Sequence, residues 1–160
     1  MTRLGIVSDS HGRGIWLERY LEVCKREKYD AVFHLGDLNS DARWLQRRMD
    51  TPLIAVAGNC DYWSEQARMA RASYGEHRIV AVHGHLQDMK YGYERLSYYA
   101  EEQNATIALF GHTHRPCVER MGGVLLINPG ALMDGRYAEL TLDGKRAVPM
   151  LLDLHESAMK

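Results

Sequence analysis

The chain has 160 residues, 46% of them hydrophobic and 26% charged, with a formal net charge of −1. That composition suits one globular domain over residues 1–160 with a core of its own, and the near-zero charge argues against a protein whose main task is to neutralise nucleic-acid phosphates. No apolar run approaches the roughly 18 residues of a membrane span. No charged-then-apolar leader precedes Arg3-Leu4-Gly5-Ile6-Val7, so no membrane partner is expected.

In chain order, short apolar runs end repeatedly in polar, glycine-containing loops. LGIVS ends at Asp9-Ser10-His11-Gly12 and AVFHL at Gly36-Asp37. LIAVA ends at Gly58-Asn59, IVAV at His83-Gly84-His85 and TIALF at Gly111-His112-Thr113-His114. Runs of this length, rich in Val, Ile and Phe, read as strands buried on both faces. Helical patterns fill several gaps. Ile15 to Glu27 carries a stripe of Ile15, Leu17, Leu21 and Cys24. Asp41 to Met49 carries Trp44, Leu45 and Met49, and Tyr93 to Gln103 carries Leu96, Tyr99 and Ala100. Such stripes mark amphipathic helices, so the first third of the chain reads βαβαβ with parallel strands. Further on, CVERMGGVLLIN predicts two strands around Gly122-Gly123, and RYAELTLDGKRAVPMLLDL predicts another pair around Asp143-Gly144. Two mixed β-sheets packed face to face with helices on the outer faces, a four-layer αββα sandwich, account for both halves. Residues 155–160 read as a loose tail.

All five polar motifs follow strands, where α/β sheets line their ligand crevice. Asp9, Asp37, Asn59, His83 and His112 are spaced about 22–29 residues apart, close to one strand-helix-strand return. The chain therefore comes back to one edge and leaves a potential ligand there each time. Five of the eight histidines lie in these motifs, and histidine is the commonest metal ligand.

The order D-x-H, G-D, G-N, H-G-H, G-H-x-H resembles the signature of the calcineurin-like metallophosphoesterases. Asp9-Ser10-His11, Gly36-Asp37, Gly58-Asn59, His83-Gly84-His85 and Gly111-His112-Thr113-His114 carry the resemblance. The small size, Gly58-Asn59-Cys60-Asp61 and Asn128-Pro129-Gly130 look like the compact prokaryotic phosphodiesterase branch. The resemblance implies a binuclear metal centre, with Asp9, His11, Asp37 and His114 on one divalent ion and Asp37, Asn59, His83 and His112 on the other. Asp37 would bridge them, and a metal-bridged hydroxide would attack a phosphodiester in line. Asn59, His83 and Asp37 are then the catalytic residues, and Cys60, Asp61 and His85 contact substrate or support the site. Mn²⁺ is the expected metal, although Ni²⁺, Fe²⁺, Co²⁺ and Zn²⁺ suit the same donors.

Two divalent ions need a bridging carboxylate to screen their repulsion. Two aspartates against four positive charges leave the site at about +2, attractive to an anionic diester. Larger relatives place histidine where this chain has Cys60. A thiol is a weak hydrogen-bond donor that titrates near ~8.5, so phosphomonoesters with poor leaving groups are expected to react poorly. Other readings are a non-catalytic protein-binding scaffold of the same fold, or a nuclease. A serine hydrolase does not fit, because GxSxG is absent around Ser8 and Ser10. His34, inside a strand, reads as a hydrogen-bonded interior histidine, and His77 and His155 read as solvent-facing. Arg43, Arg47 and Arg48 read as a solvated helix face. The three cysteines, Cys24, Cys60 and Cys117, show no CxxC and suit reduced thiols, hence a cytoplasmic location. The aromatic residues Trp63, Tyr91 and Tyr93 leave a homo-oligomer open.

Overall fold

The computed structural model describes residues 1–12, 14–58, 61, 67–87 and 92–157. Asn59, Cys60, Trp63 and Tyr91 therefore lie outside the described residues.

The first strand, β1 (Thr2–Val7), leads into helix α1 (Gly14–Glu27), β2 (Ala31–His34), α2 (Asn39–Gln46) and β3 (Leu53–Ala55). β1 pairs parallel with β2, and β2 parallel with β3, giving the expected βαβαβ unit. A second sheet begins with β4 (Met69–Tyr74) and β5 (His77–Val82), and α3 (Glu94–Glu102) leads on to β6 (Ile107–Leu109). Two antiparallel hairpins follow: β7 (Cys117–Met121) with β8 (Val124–Asn128), and β9 (Arg136–Asp143) with β10 (Arg146–Asp153). The sheet orders are β10-β9-β1-β2-β3 and β4-β5-β6-β8-β7. Each sheet has five strands and is mixed.

Alternate side chains of each central strand serve different cores. Ile6, Phe33, Ile79, Leu109 and Ile127 point between the sheets. Val7 and Val32 point the other way, against Leu17, Tyr20, Leu21 and Cys24 of α1 and Leu45 of α2. Val80, Val82, Ala108 and Leu126 meet Leu96 and Ala100 of α3. The layers are thus helix, sheet, sheet, helix, and burial on both faces explains why these strands read as unbroken apolar runs. Full burial of each such side chain is worth roughly 1.5–3 kcal/mol.

Several details differ from the sequence reading. β3 is an edge strand and only half-buried. Ile15 is 57% exposed, and Tyr20 takes its place in the buried stripe of α1. β4 carries no clear strand pattern in sequence, yet it forms a hairpin with β5 across Gly75-Glu76. His77 is buried, with Nε2 2.8 Å from the carbonyl of Gly144. The chain beyond β10 continues as a short helical turn, α4 (Leu154–Ser157), anchored by buried Leu154. His34 is fully buried and hydrogen-bonded, and Arg43, Arg47 and Arg48 are exposed, as the sequence predicts.

Candidate metal centre

Parallel pairing brings the strand ends level. Val7 is in register with His34, His34 with Ala55, and Ala81 with Leu109. Backbone hydrogen bonds continue past the strands, from Asp9 N to Gly36 O and from Gly111 N to His83 O. The loops carrying the sequence motifs therefore leave the two sheets side by side. Eight described non-glycine residues have positive φ, and six belong to these loops: Asp9, His11, Asp37, Leu38, His112 and His114. The other two, Lys28 and Asn104, follow the C-terminal ends of α1 and α3, where a left-handed residue is an ordinary helix stop. Left-handed backbone at a non-glycine residue is a strained conformation that clusters at functional sites. Here it re-aims the side chains at the strand ends toward one another.

Asp9 is fully buried. Its Oδ2 accepts hydrogen bonds from Ser8 Oγ at 2.7 Å and from the His112 amide at 3.0 Å. Its Oδ1 has no hydrogen-bond partner among the described residues. That oxygen faces three imidazoles: His114 Nε2 at 3.3 Å, His11 Nε2 at 3.8 Å and His83 Nε2 at 3.8 Å. Asp37 Oδ2 lies 3.4 Å from His83 Nε2 and 3.7 Å from His11 Nε2. His112 Nδ1 approaches His83 Nε2 at 3.3 Å. Two compact donor sets result, Asp9-His11-His114 and Asp9-Asp37-His83, the ligand atoms of each lying within 4.8 Å of one another.

The electrostatics favour a cation. Burial alone would lower the pKa of His83, but the hydrogen bond with Asp37 and the charges of Asp9 and Asp37 raise it above the ordinary imidazole value. Nδ1 of His83 donates to the Leu35 carbonyl at 2.8 Å, which turns Nε2 toward the carboxylates. A proton drawn to that nitrogen marks a position where a metal ion can compete for the same lone pair. His112 shifts downward through burial and then the neighbouring His83. His85 also shifts downward, through burial and then His83, His112 and Arg68. Its ring lies 5.5 Å from that of His83, and its buried Nδ1 has no hydrogen-bond partner among the described residues.

Glycine permits the close approach of these loops. A Cβ on Gly58 would collide with Asp37 Oδ1 and lie 2.6 Å from the Asp37 amide nitrogen. A Cβ on Gly111 would collide with Ser8 Oγ and lie 2.7 Å from Asp9 Oδ2. Polar side chains then fix the loops. Asp61 Oδ1 accepts from the amides of Leu38 and Asn39 at 3.0 and 2.9 Å, and its Oδ2 accepts from Gly58 N at 2.9 Å. Leu38 occupies the N-cap of α2 and has no side chain to cap with, so Asp61 supplies the cap from another loop. Asn128 donates from Nδ2 to the Gly111 carbonyl and to Thr113 Oγ1, at 3.2 and 3.0 Å.

The structure brings together seven of the sequence-predicted site residues: Asp9, His11, Asp37, His83, His85, His112 and His114. Asp61 lies behind them as a loop tie. Sequence reasoning missed how Ser8 and Asn128 orient the motifs, and it missed Asp41, buried at the start of α2. The only sequence signal for these was position, namely Ser8 beside Asp9 and Asp41 in the first turn of a helix.

Residues 2–147 match the calcineurin-like phosphoesterase superfamily domain, and the chain belongs to that family. The probable metallophosphoesterase YsnB of Bacillus subtilis (strain 168) is 34% identical over 157 residues, covering 92% of this chain and 89% of the relative. Phosphodiesterase YfcE of Escherichia coli (strain K12) is 30% identical over 154 residues, covering 82% of this chain and 80% of its own. The vacuolar protein sorting-associated protein 29 of Schizosaccharomyces pombe is 26% identical over 145 residues, covering 89% and 78%. The crystal structure of a conserved uncharacterized protein, a predicted phosphoesterase, from Streptococcus pneumoniae TIGR4 superposes with a TM-score of 0.79 at 31% identity, covering 95% of this chain and 89% of that one.

Proposed function

We propose that this protein is a metal-dependent phosphodiesterase that holds two divalent ions and favours diesters over monoesters. The observation that carries the reading is the pair of buried atoms Asp9 Oδ1 and His11 Nε2, which have no hydrogen-bond partner among the described residues and are set among His83, His114 and Asp37. Burying a carboxylate oxygen and an imidazole nitrogen without hydrogen bonds is costly. A cation among them removes that cost, and a hydrogen-bonded structural core would not leave both unmatched.

In this reading Asp9, His11, Asp37 and His114 hold one ion, and Asp37, Asn59, His83 and His112 hold the other. The contacts of Asp37 Oδ2 with both His11 and His83 support its bridging role. Asp9 Oδ1 also faces His83 Nε2, at 3.8 Å, so Asp9 would lie next to the second donor set as well as in the first. When bound, two divalent ions supply an activated water and neutralise charge on the phosphoryl oxygens. The protein's own part is orientation. Ser8 and the His112 amide occupy Oδ2 of Asp9 and leave Oδ1 as its ligand oxygen. Leu35 sets the tautomer of His83. Asp61 supports the loop that carries Asn59. His85 is the substrate contact in this reading, supported by its place beside His83 and by exposed Arg68, near enough to influence it electrostatically. With Cys60 in place of a histidine the site lacks one strong proton donor, which penalises monoesters with poor leaving groups.

Mn²⁺ is the metal we expect from this hard and borderline donor set. Free thiols at Cys24 and Cys117 support a reducing, cytoplasmic setting. The relationship to vacuolar protein sorting-associated protein 29 supports a second reading, a protein-binding scaffold. Uptake of two Mn²⁺ per chain with metal-dependent diester hydrolysis supports the enzyme. Absence of both supports the scaffold.

A further inference from the structure

Behind the candidate metal centre runs a buried polar chain that the proposed reaction does not use. Ser10 Oγ donates to Asp41 Oδ2 at 2.6 Å, and the Gly12 amide donates to the same oxygen at 2.8 Å. Ser10 Oγ also lies 3.1 Å from His34 Nε2. Because the hydroxyl proton goes to the carboxylate, the imidazole must donate to the hydroxyl oxygen. His34 then carries its proton on Nε2, and its Nδ1 accepts a long hydrogen bond, 3.4 Å, from the Gly36 amide. The chain runs in one direction, from Gly36 N–H through His34 and Ser10 to Asp41. Ser10, His34 and Asp41 are all buried.

Two of its members, Ser10 and Gly36, stand on the loops that carry the candidate ligands. Ser10 stands between Asp9 and His11, which have φ of 53° and 50°. Gly36 precedes Asp37, which has φ of 56°. Strained backbone of this kind persists only where its surroundings over-determine it. Asp41 is on a helix, α2, and is therefore a rigid anchor for both loops.

We infer that Asp41 is a positioning residue of the metal centre, holding Asp9 and His11 through Ser10 and Gly12 and tying their loop to Asp37 through His34. The inference rests on the metal-dependent reading above. Both bonds to Asp41 end on one oxygen, so the neutral amide of Asp41→Asn can keep them with its own oxygen, whereas Asp41→Ala loses them. Groups that orient metal ligands typically contribute about 10–100-fold to metal affinity.

The test is calorimetric titration of Mn²⁺ into chelator-stripped wild type, Asp41→Ala and Asp41→Asn, with circular dichroism to establish folding. Wild type is expected to bind Mn²⁺, Asp41→Ala to bind about tenfold or more weakly in at least one step, and Asp41→Asn to stay within about threefold of wild type. Asp41→Ala binding as tightly as wild type overturns the inference, as does Asp41→Asn binding as weakly as Asp41→Ala. Wild type that takes up no Mn²⁺ overturns the metal-dependent reading and this inference with it. Should Asp41→Ala fail to fold, Ser10→Ala, which leaves Asp41 on Gly12, serves in its place and is expected to weaken binding by the same order.

Discussion

Asp61→Ala removes three hydrogen bonds at once, two to the free amides at the start of α2 and one to Gly58. Loss of an N-cap costs about 0.5–2 kcal/mol. A hydrogen bond to a charged group contributes about 1.5–3 kcal/mol when well sheltered. Asp61 is only half-buried, and water can replace part of what is lost, so the expected destabilisation is about 2–3 kcal/mol. For a domain of this size each kcal/mol shifts Tm by about 2–4 °C, so the variant should melt roughly 4–12 °C below wild type. Asp61→Asn separates the contributions. Its oxygen can still cap α2, but its amide meets the Gly58 N–H donor to donor, so it should fall between the two. Thermal unfolding followed by circular dichroism in chelator measures this without interference from metal. A Tm for Asp61→Ala within about 1 °C of wild type would refute the idea that Asp61 ties the two loops together.

Gly111→Ala drives a methyl group into Ser8 and Asp9. It should abolish most Mn²⁺ uptake in a calorimetric titration, and uptake equal to wild type would contradict the close-approach argument. His34 has its pKa lowered, chiefly by burial, with neighbouring carboxylates only partly offsetting. Its contribution to stability is therefore fully present above the unfolded value near ~6.5 and is lost as pH falls toward the folded value, by at most about 1.4 kcal/mol per pH unit. His34→Gln should accordingly show a shallower fall of Tm between pH 7 and pH 5 than wild type, and equal slopes would exclude His34 as a source of the acid sensitivity. Cys60→His should raise monoester turnover relative to diester turnover by about tenfold or more, since a positioned general acid contributes about 10²–10⁴. An unchanged ratio would remove Cys60 from the account of substrate preference.

Much of the candidate site was legible because the described ligand candidates sit in loops that leave strand ends, and parallel pairing brings those ends level. Local sequence therefore carried the information for Asp9, Asp37, His83 and His112. What stayed hidden depends on contacts between distant parts of the chain. His77 looks solvent-facing in its polar surroundings, yet it is buried at the start of β5 beneath the β9–β10 turn, where its partner is Gly144. β4 reads as irregular because its residues, including Arg71 and Ser73, lie on an edge strand with exposed positions and no buried run. Ile15 fits the helical stripe of α1 by hydrophobicity, but Tyr20, at the spacing that faces Val7 and Tyr137, fills the core instead. The role of Asp41 needed the fold, because Ser10 and Asp41 are 31 residues apart and meet only once β1 and α2 are packed.

In the function proposed above, these loops hold divalent ions for phosphodiester hydrolysis. The most direct measurement is steady-state hydrolysis of a chromogenic phosphodiester and its matching monoester by metal-stripped protein refilled with Mn²⁺, with Asn59→Ala alongside. Diester turnover is expected to require the metal, to exceed monoester turnover and to collapse in Asn59→Ala. Absence of turnover with Mn²⁺ demonstrably bound, or turnover indifferent to both metal and Asn59, would contradict that function.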